Sequence, residues 1–142
     1  MNTTFEVKLM KLKLFLALIT LTGLLPFIGQ ERPIALSKPD IKSIYTNYPI
    51  DGTWVQIPKG TKNITFYIEA ENTETVLFWL IPTGTQTWTE RQLIGYDIRE
   101  NHTDNNFSLI WNIDKPFLHD HLYIQALGEE AMEQDSINLY ME

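Results

Sequence analysis

The chain has 142 residues, of which 44% are hydrophobic and 20% charged, with a formal net charge of -7 and no cysteine. Length supports one folded domain, the ordinary apolar content excludes a collagenous or wholly disordered chain, and the missing thiol excludes disulfides, Cys metal sites, a Cys nucleophile and a lipidated Cys. A sequence pI near 4.9 argues against a nucleic-acid partner, because neutralising phosphates takes clustered Lys and Arg.

Lys8, Lys11 and Lys13 precede an uncharged, largely apolar run from Leu14 to Ile28, the order expected of an export signal. As a helix the run would extend ~23 Å, short of the ~30 Å hydrocarbon core of a bilayer, which favours a cleavable signal over a retained anchor. Gly29 supplies a small residue at the cut and Pro26 breaks the helix before it, whereas Phe27 stands where a small residue is usual. Residues 1–29 are therefore expected to be a signal peptide or N-terminal membrane anchor, with the chain beyond Gln30 outside the membrane. Met10 is an alternative start. Without this segment 8 basic and 17 acidic residues remain, a net charge of -9. Residues 30–42, with Pro33, Pro39 and no periodicity, read as a spacer.

From Ser43 onward the period is two. Ile64, Phe66, Ile68 and Ala70 alternate with Thr65, Tyr67, Glu69 and Glu71, which predicts a strand with one apolar face. Val76 to Ile81 is continuously apolar, as expected of a central strand covered on both faces. Gln92 to Ile98 is a shorter candidate. Phe107, Leu109, Trp111 and Ile113 form a further alternating set, and Leu122, Ile124, Ala126 and Gly128 another. Ile137, Leu139 and Met141 are in phase from Ser136 to Met141, and Glu129 to Gln134 reads as a loop. Turn signals at Asp51-Gly52, Lys59-Gly60, Glu71-Asn72, Pro82-Thr83-Gly84, Asn105-Asn106, Lys115-Pro116 and Gly128-Glu129 separate these segments. About seven short strands over residues 43–142 describe an all-β antiparallel sandwich, with Phe66, Trp79, Leu109, Trp111 and Ile124 as core candidates.

Five segments follow one another in an order that resembles a bacterial immunoglobulin-like domain of exported surface proteins: Pro49-Ile50-Asp51-Gly52-Thr53, Ile64 to Ala70, Val76 to Ile81, Phe107-Ser108-Leu109-Ile110-Trp111, and His119 to Ala126. The resemblance covers about Tyr48 to Tyr140 and implies an immunoglobulin-like sandwich. Leu122 occupies the place of that family's strand Tyr, and Asp120 that of its turn Gly. The backbone hydrogen bond of that Tyr is thus not expected, and Tyr123 should face solvent.

His119 and His121 are two apart on a strand, so both imidazoles face one way and form the local pair with metal-ligand character, although no spacing supplies further ligands. A polar turn entering the strand is the competing expectation, and no metal or cofactor is assigned. Glu129, Glu130, Glu133 and Asp135 lack the Asp-x-Asp-x-Asp-Gly pattern of a calcium loop and read as a solvated hairpin. No nucleophile elbow, His-Glu-x-x-His helix or phosphate-binding loop occurs, so an enzyme is not expected. Trp79 and Trp111 sit in strong strand patterns, whereas Trp54 and Trp88 do not, Trp88 lying in the polar stretch Thr83 to Thr89. Trp88, Trp54 and Tyr123 are the candidate binding residues, since exposed aromatics stack on sugars or anchor protein contacts. The triplets at Asn63, Asn101 and Asn106 fit glycosylation acceptors, which matter only in a host that glycosylates exported chains. These features point to an exported, noncatalytic module, secreted or membrane-anchored, that meets an envelope protein or glycan. A small inhibitor offering the Gly84 to Thr89 loop to an extracellular enzyme is one alternative, and a metal-dependent hydrolase using His119 to His121 is another.

Overall fold

The computed structural model describes residues 37–84, 88–101 and 104–142. The expected export segment and most of the expected spacer lie outside them. Among the described residues nine strands form in chain order: β1 (Asp40–Thr46), β2 (Ile50–Asp51), β3 (Trp54–Gln56), β4 (Asn63–Glu71), β5 (Thr75–Pro82), β6 (Gln92–Ile98), β7 (Asn106–Asn112), β8 (Leu118–Leu127) and β9 (Met132–Met141). A single 3-10 turn at Trp88–Glu90 precedes β6. Turn chemistry sets the reversals. Gly52, Gly60 and Gly84 have φ of 61°, 79° and 88°, where a Cβ is penalised, and Asn72 takes the same region at 52°.

The strands divide between a three-stranded sheet in the order β1-β4-β7 and a six-stranded sheet in the order β2-β3-β9-β8-β5-β6. Alternation decides what lies between them. Ile64, Phe66, Ile68 and Ala70 of β4 are buried, as are Val76, Phe78 and Leu80 of β5, Leu122, Ile124 and Ala126 of β8, and Ile137, Leu139 and Met141 of β9. Phe66 is central, its ring centroid 6.2 Å from Phe78 and 6.4 Å from Trp111. Phe66→Ala would cost about 3 to 5 kcal/mol through lost transfer energy and an unfilled cavity.

Several expectations are corrected. The sandwich is not wholly antiparallel: the β2–β3 hairpin turns the chain so that β3 runs parallel to β9, pairing Val55 with Leu139. The two short strands and the early start of β1 raise the count above seven. Asp40 and Ile41, expected in the spacer, pair with Glu71 and Ala70. β5 is not covered on both faces; Leu77 and Trp79 point outward and are half-buried, and among the described residues no layer packs on that side. Trp79 is thus not a core residue. Leu109 packs at the core margin and is half-buried. The loop expected over Glu129 to Gln134 is loop only in its first half: Gly128 N–H donates to Ala131 O at 2.9 Å, closing the turn, and β9 starts at Met132.

One edge of the sandwich closes without a ladder. β6 and β7 belong to different sheets, and the Asp97 carboxylate of β6 bridges them by accepting the Ser108 N–H at 2.7 Å. Gly95 permits the approach: a Cβ there would lie 2.5 Å from Leu109 Cδ1.

Candidate functional site

Strand register identifies one surface that the core does not use. Across β6, β5, β8 and β9 the outward positions form rows: Ile98, Thr75, Leu127 and Met132; Tyr96, Leu77, Gln125 and Gln134; Leu93, Trp79, Tyr123 and Ser136. Next along the strands come Ile81, His121 and Asn138, then His119 and Tyr140, with Trp54 of β3 beside Asn138. None of these positions is Asp, Glu, Lys or Arg. The outward side of the three-stranded sheet differs, with Asp40, Lys42, Glu69 and Glu71 exposed and Lys42 paired to both Asp40 and Glu71. Those carboxylates, led by the Asp40 hydrogen bond, raise the Lys42 pKa above its ordinary value.

At one end of the uncharged face the side chains are aromatic and amide. His119 is exposed at the start of β8; its ring centroid is 5.1 Å from that of Trp54, which reaches over β9, and 6.1 Å from Tyr140 in an edge-on contact. Thr83 Oγ1 lies 2.6 Å from His119 Nδ1. His121 Nδ1 lies 2.5 Å from Asn138 Oδ1, and Asn138 Nδ2 donates to Thr53 Oγ1 at 2.9 Å. With the amide oxygen as acceptor, this contact matches the His121 tautomer protonated on Nδ1. The Tyr140 hydroxyl donates to the Glu142 carboxylate, which raises its pKa because the phenol is the hydrogen-bonded form.

The two imidazoles therefore share a face, as their spacing predicts, but each Nδ1 is occupied by a polar neighbour. A metal would have to use the Nε2 atoms, and among the described residues no cluster of three or more His, Asp or Glu forms a metal-binding group. Asp120, between them, points the other way. It is 4% exposed, and its carboxylate takes a hydrogen bond from Lys115 Nζ at 2.9 Å. The sequence reading missed this pair; the available signal was a carboxylate in phase with the core residues Leu118 and Leu122. Beside it a cleft of about 400 Å³ is lined by Pro82, Thr83, Lys115, Pro116, Phe117 and His119.

At the other end the face is apolar. Arg91 lays its guanidinium 4.7 Å from the Trp79 ring centroid, and Trp79 Nε1 donates to Gln125 Oε1 at 3.3 Å. Tyr123, expected to face solvent, does lie on the outer side but is half-buried, its hydroxyl donating to Gln134 Oε1 at 2.5 Å. The face thus gathers Trp54 and Tyr123, which the sequence had offered separately. The third candidate, Trp88, has its backbone in the 3-10 turn, and its side chain lies outside the described residues.

A second cleft, of about 490 Å³, lies at the far end of β6 between Glu74, Thr75, Ile98, Arg99, Glu100 and Asn101. Arg99 Nε and Nη2 are buried there without a hydrogen-bond partner, but Glu74 and Glu100 on the same rim oppose an incoming anion.

No family model and no curated protein matches the chain. Among solved structures it is similar to a chain from one described as the structural basis of T cell specificity and activation by the bacterial superantigen toxic shock syndrome toxin-1. The identity is 12% and the TM-score 0.47, over 70% of this chain and 98% of that one. The fold stands on the chain's own sheets: an all-β arrangement of three and six strands.

Proposed function

We propose that the chain is an exported, noncatalytic immunoglobulin-like module that binds an envelope protein or glycan through the aromatic end of its six-stranded sheet. Strand order supports the fold reading. In seven-stranded immunoglobulin-like sandwiches the first, second and fifth strands share one sheet and the third, sixth and seventh the other. Here β1, β4 and β7 stand against β5, β8 and β9, with β6 added at the edge. The basic-then-apolar N-terminal sequence supports export.

The observation that carries the binding reading is the Trp54, His119 and Tyr140 cluster on a face whose outward strand positions include no Asp, Glu, Lys or Arg. Aromatic rings offer flat apolar area at low entropy cost, and the neighbouring Thr83, His121 and Asn138 offer hydrogen bonds to hydroxyls or amides. Because the face is formed by rungs of paired strands, these groups are held in place before a ligand arrives.

The test is co-sedimentation of the protein with isolated wall and membrane fractions. Trp54→Ala is expected to lower the retained fraction about fivefold, Tyr123→Ala less, with unchanged melting. Retention indifferent to Trp54 would sink the binding reading. Cell fractionation, with the product's N-terminus sequenced, tests export; a full-length cytosolic chain would overturn it.

A further inference from the structure

We infer that the apolar half of the same sheet face is a self-association surface, on which a second copy of this chain docks face to face. The inference does not depend on the envelope reading: it rests on Leu93, Tyr96, Ile98 and Met132, and the two surfaces share only Tyr123 at their border. Leu93, Tyr96 and Ile98 of β6 are 45%, 60% and 56% exposed beside Leu77 and Trp79 of β5, and Met132, 50% exposed, lies at the far side of the same half-face on β9. The clustering is the signal, since single exposed apolar residues are ordinary whereas contiguous ones mark an interaction surface.

Charge selects the occupant. Each copy carries a net charge of -9 outside the N-terminal segment, so two copies repel over most of their surfaces. The strand positions of this half-face carry no carboxylate; Arg91 lies over Trp79 at one margin, and Glu74 and Glu100 lie beside Thr75 and Ile98 at the other. Its middle is therefore where two such acidic bodies can touch with the least opposition of like charges. A neutral apolar patch also offers a charged partner nothing to pair with, while a two-fold arrangement sets it against its own equivalent.

Area sets the strength. Three rows across four strands, at ~4.8 Å between strands and ~6.6 Å between rows, make a patch of roughly 20 by 20 Å. With side-chain relief, two copies bury on the order of 1,000 Å² in total, the lower end of specific interfaces. Such a contact forms a weak, reversible dimer, strengthened where the chain is concentrated on a surface.

The absence of cysteine from the chain gives a clean test. The full chain carrying Gln125→Cys at the patch is produced in cells and treated with a short bis-maleimide, beside Ile110→Cys on the exposed side of the opposite sheet. Gln125→Cys is expected to give a linked homodimer and Ile110→Cys only background. Adding Tyr96→Glu to Gln125→Cys should cut the linked fraction about tenfold, with Ile98→Lys doing the same. Protease resistance of each variant shows that it is folded. Equal linking from both sheets, linking indifferent to Tyr96→Glu and Ile98→Lys, or capture only of an unrelated protein would overturn the dimer. If the dimer fails while Trp54→Ala still abolishes envelope retention, the aromatic end alone is the working surface.

Discussion

Asp120 shows how one residue can serve the core and the surface at once. Its neighbours His119 and His121 point out while its own carboxylate points in, where Lys115 Nζ, one-third exposed, reaches it at 2.9 Å and the His119 N–H donates to it at 3.3 Å. The loop from Lys115 is thereby tied to the strand that presents His119. Removing the cation leaves a buried carboxylate uncompensated, so Lys115→Met should destabilise the domain by about 2 kcal/mol, discounted from a fully buried pair because Lys115 is partly hydrated. Replacing both, with Lys115→Met and Asp120→Leu, should recover most of that loss, since an apolar pair carries no desolvation cost. Urea unfolding of the two single variants and the double variant measures the coupling. Additive losses would mean that the pair does not act as a unit. Asp104 is a contrasting carboxylate at the surface, held below its ordinary pKa chiefly by the Asn106 N–H that it accepts.

Elements are bounded by close approaches as much as by propensity. The β8–β9 hairpin turns at Gly128, where a Cβ would sit 2.8 Å from Asn72 O and 2.9 Å from Pro39 Cγ, one of them backbone. Gly95 has a tighter contact, yet with the end of the Leu109 side chain, which can rotate away. Gly128→Ala should accordingly cost about 2 to 3 kcal/mol and Gly95→Ala about 1 kcal/mol, the reverse of what contact distance alone suggests. Thermal melting of the pair decides it, and Leu109→Ala in the Gly95→Ala background should show the relief directly. At this scale the sequence was most legible where one face is core: β4, β8 and the second half of β9 follow their alternation. β5 misled because an unbroken apolar run is compatible with burial on both faces and with an apolar outer face. The first half of β9 was obscured by Glu133, Gln134 and Asp135, which read as loop residues. They extend the strand because backbone pairing with β8 does not depend on which side chains it carries.

For the whole molecule, charge is separated by sheet. The three-stranded sheet carries paired acids and a lysine outward, the outer face of the six-stranded sheet carries aromatic, amide and aliphatic groups, and most other acids lie in turns and at edges, Asp120 being buried in β8. Lys38 bonds Glu133 and Lys42 bonds Glu71, but exposed pairs contribute little beside the self-repulsion of a surplus of carboxylates. Raising salt from about 10 to about 150 mM should therefore raise the melting temperature by a few degrees, as screening weakens repulsion more than it weakens the pairs. A fall in calorimetry would show that the ion pairs dominate. With no disulfide available, the apolar contact between sheets carries the stability of the domain, and Phe66, between Phe78 and Trp111, is where it is densest in aromatic rings.

By itself the sequence determined the all-β class, the turns and most of the core, because alternation and turn chemistry are local and each residue reports its own face. It also offered Trp54, Tyr123 and the His119 and His121 pair, without a location shared among them. Tertiary structure alone decided that they lie on one sheet face, that Lys115 reaches Asp120, and that Met132 of β9 shares that face with Leu93, Tyr96 and Ile98 of β6. Those are questions of strand order and register, set by which strands pair across dozens of intervening residues, and no local pattern encodes them.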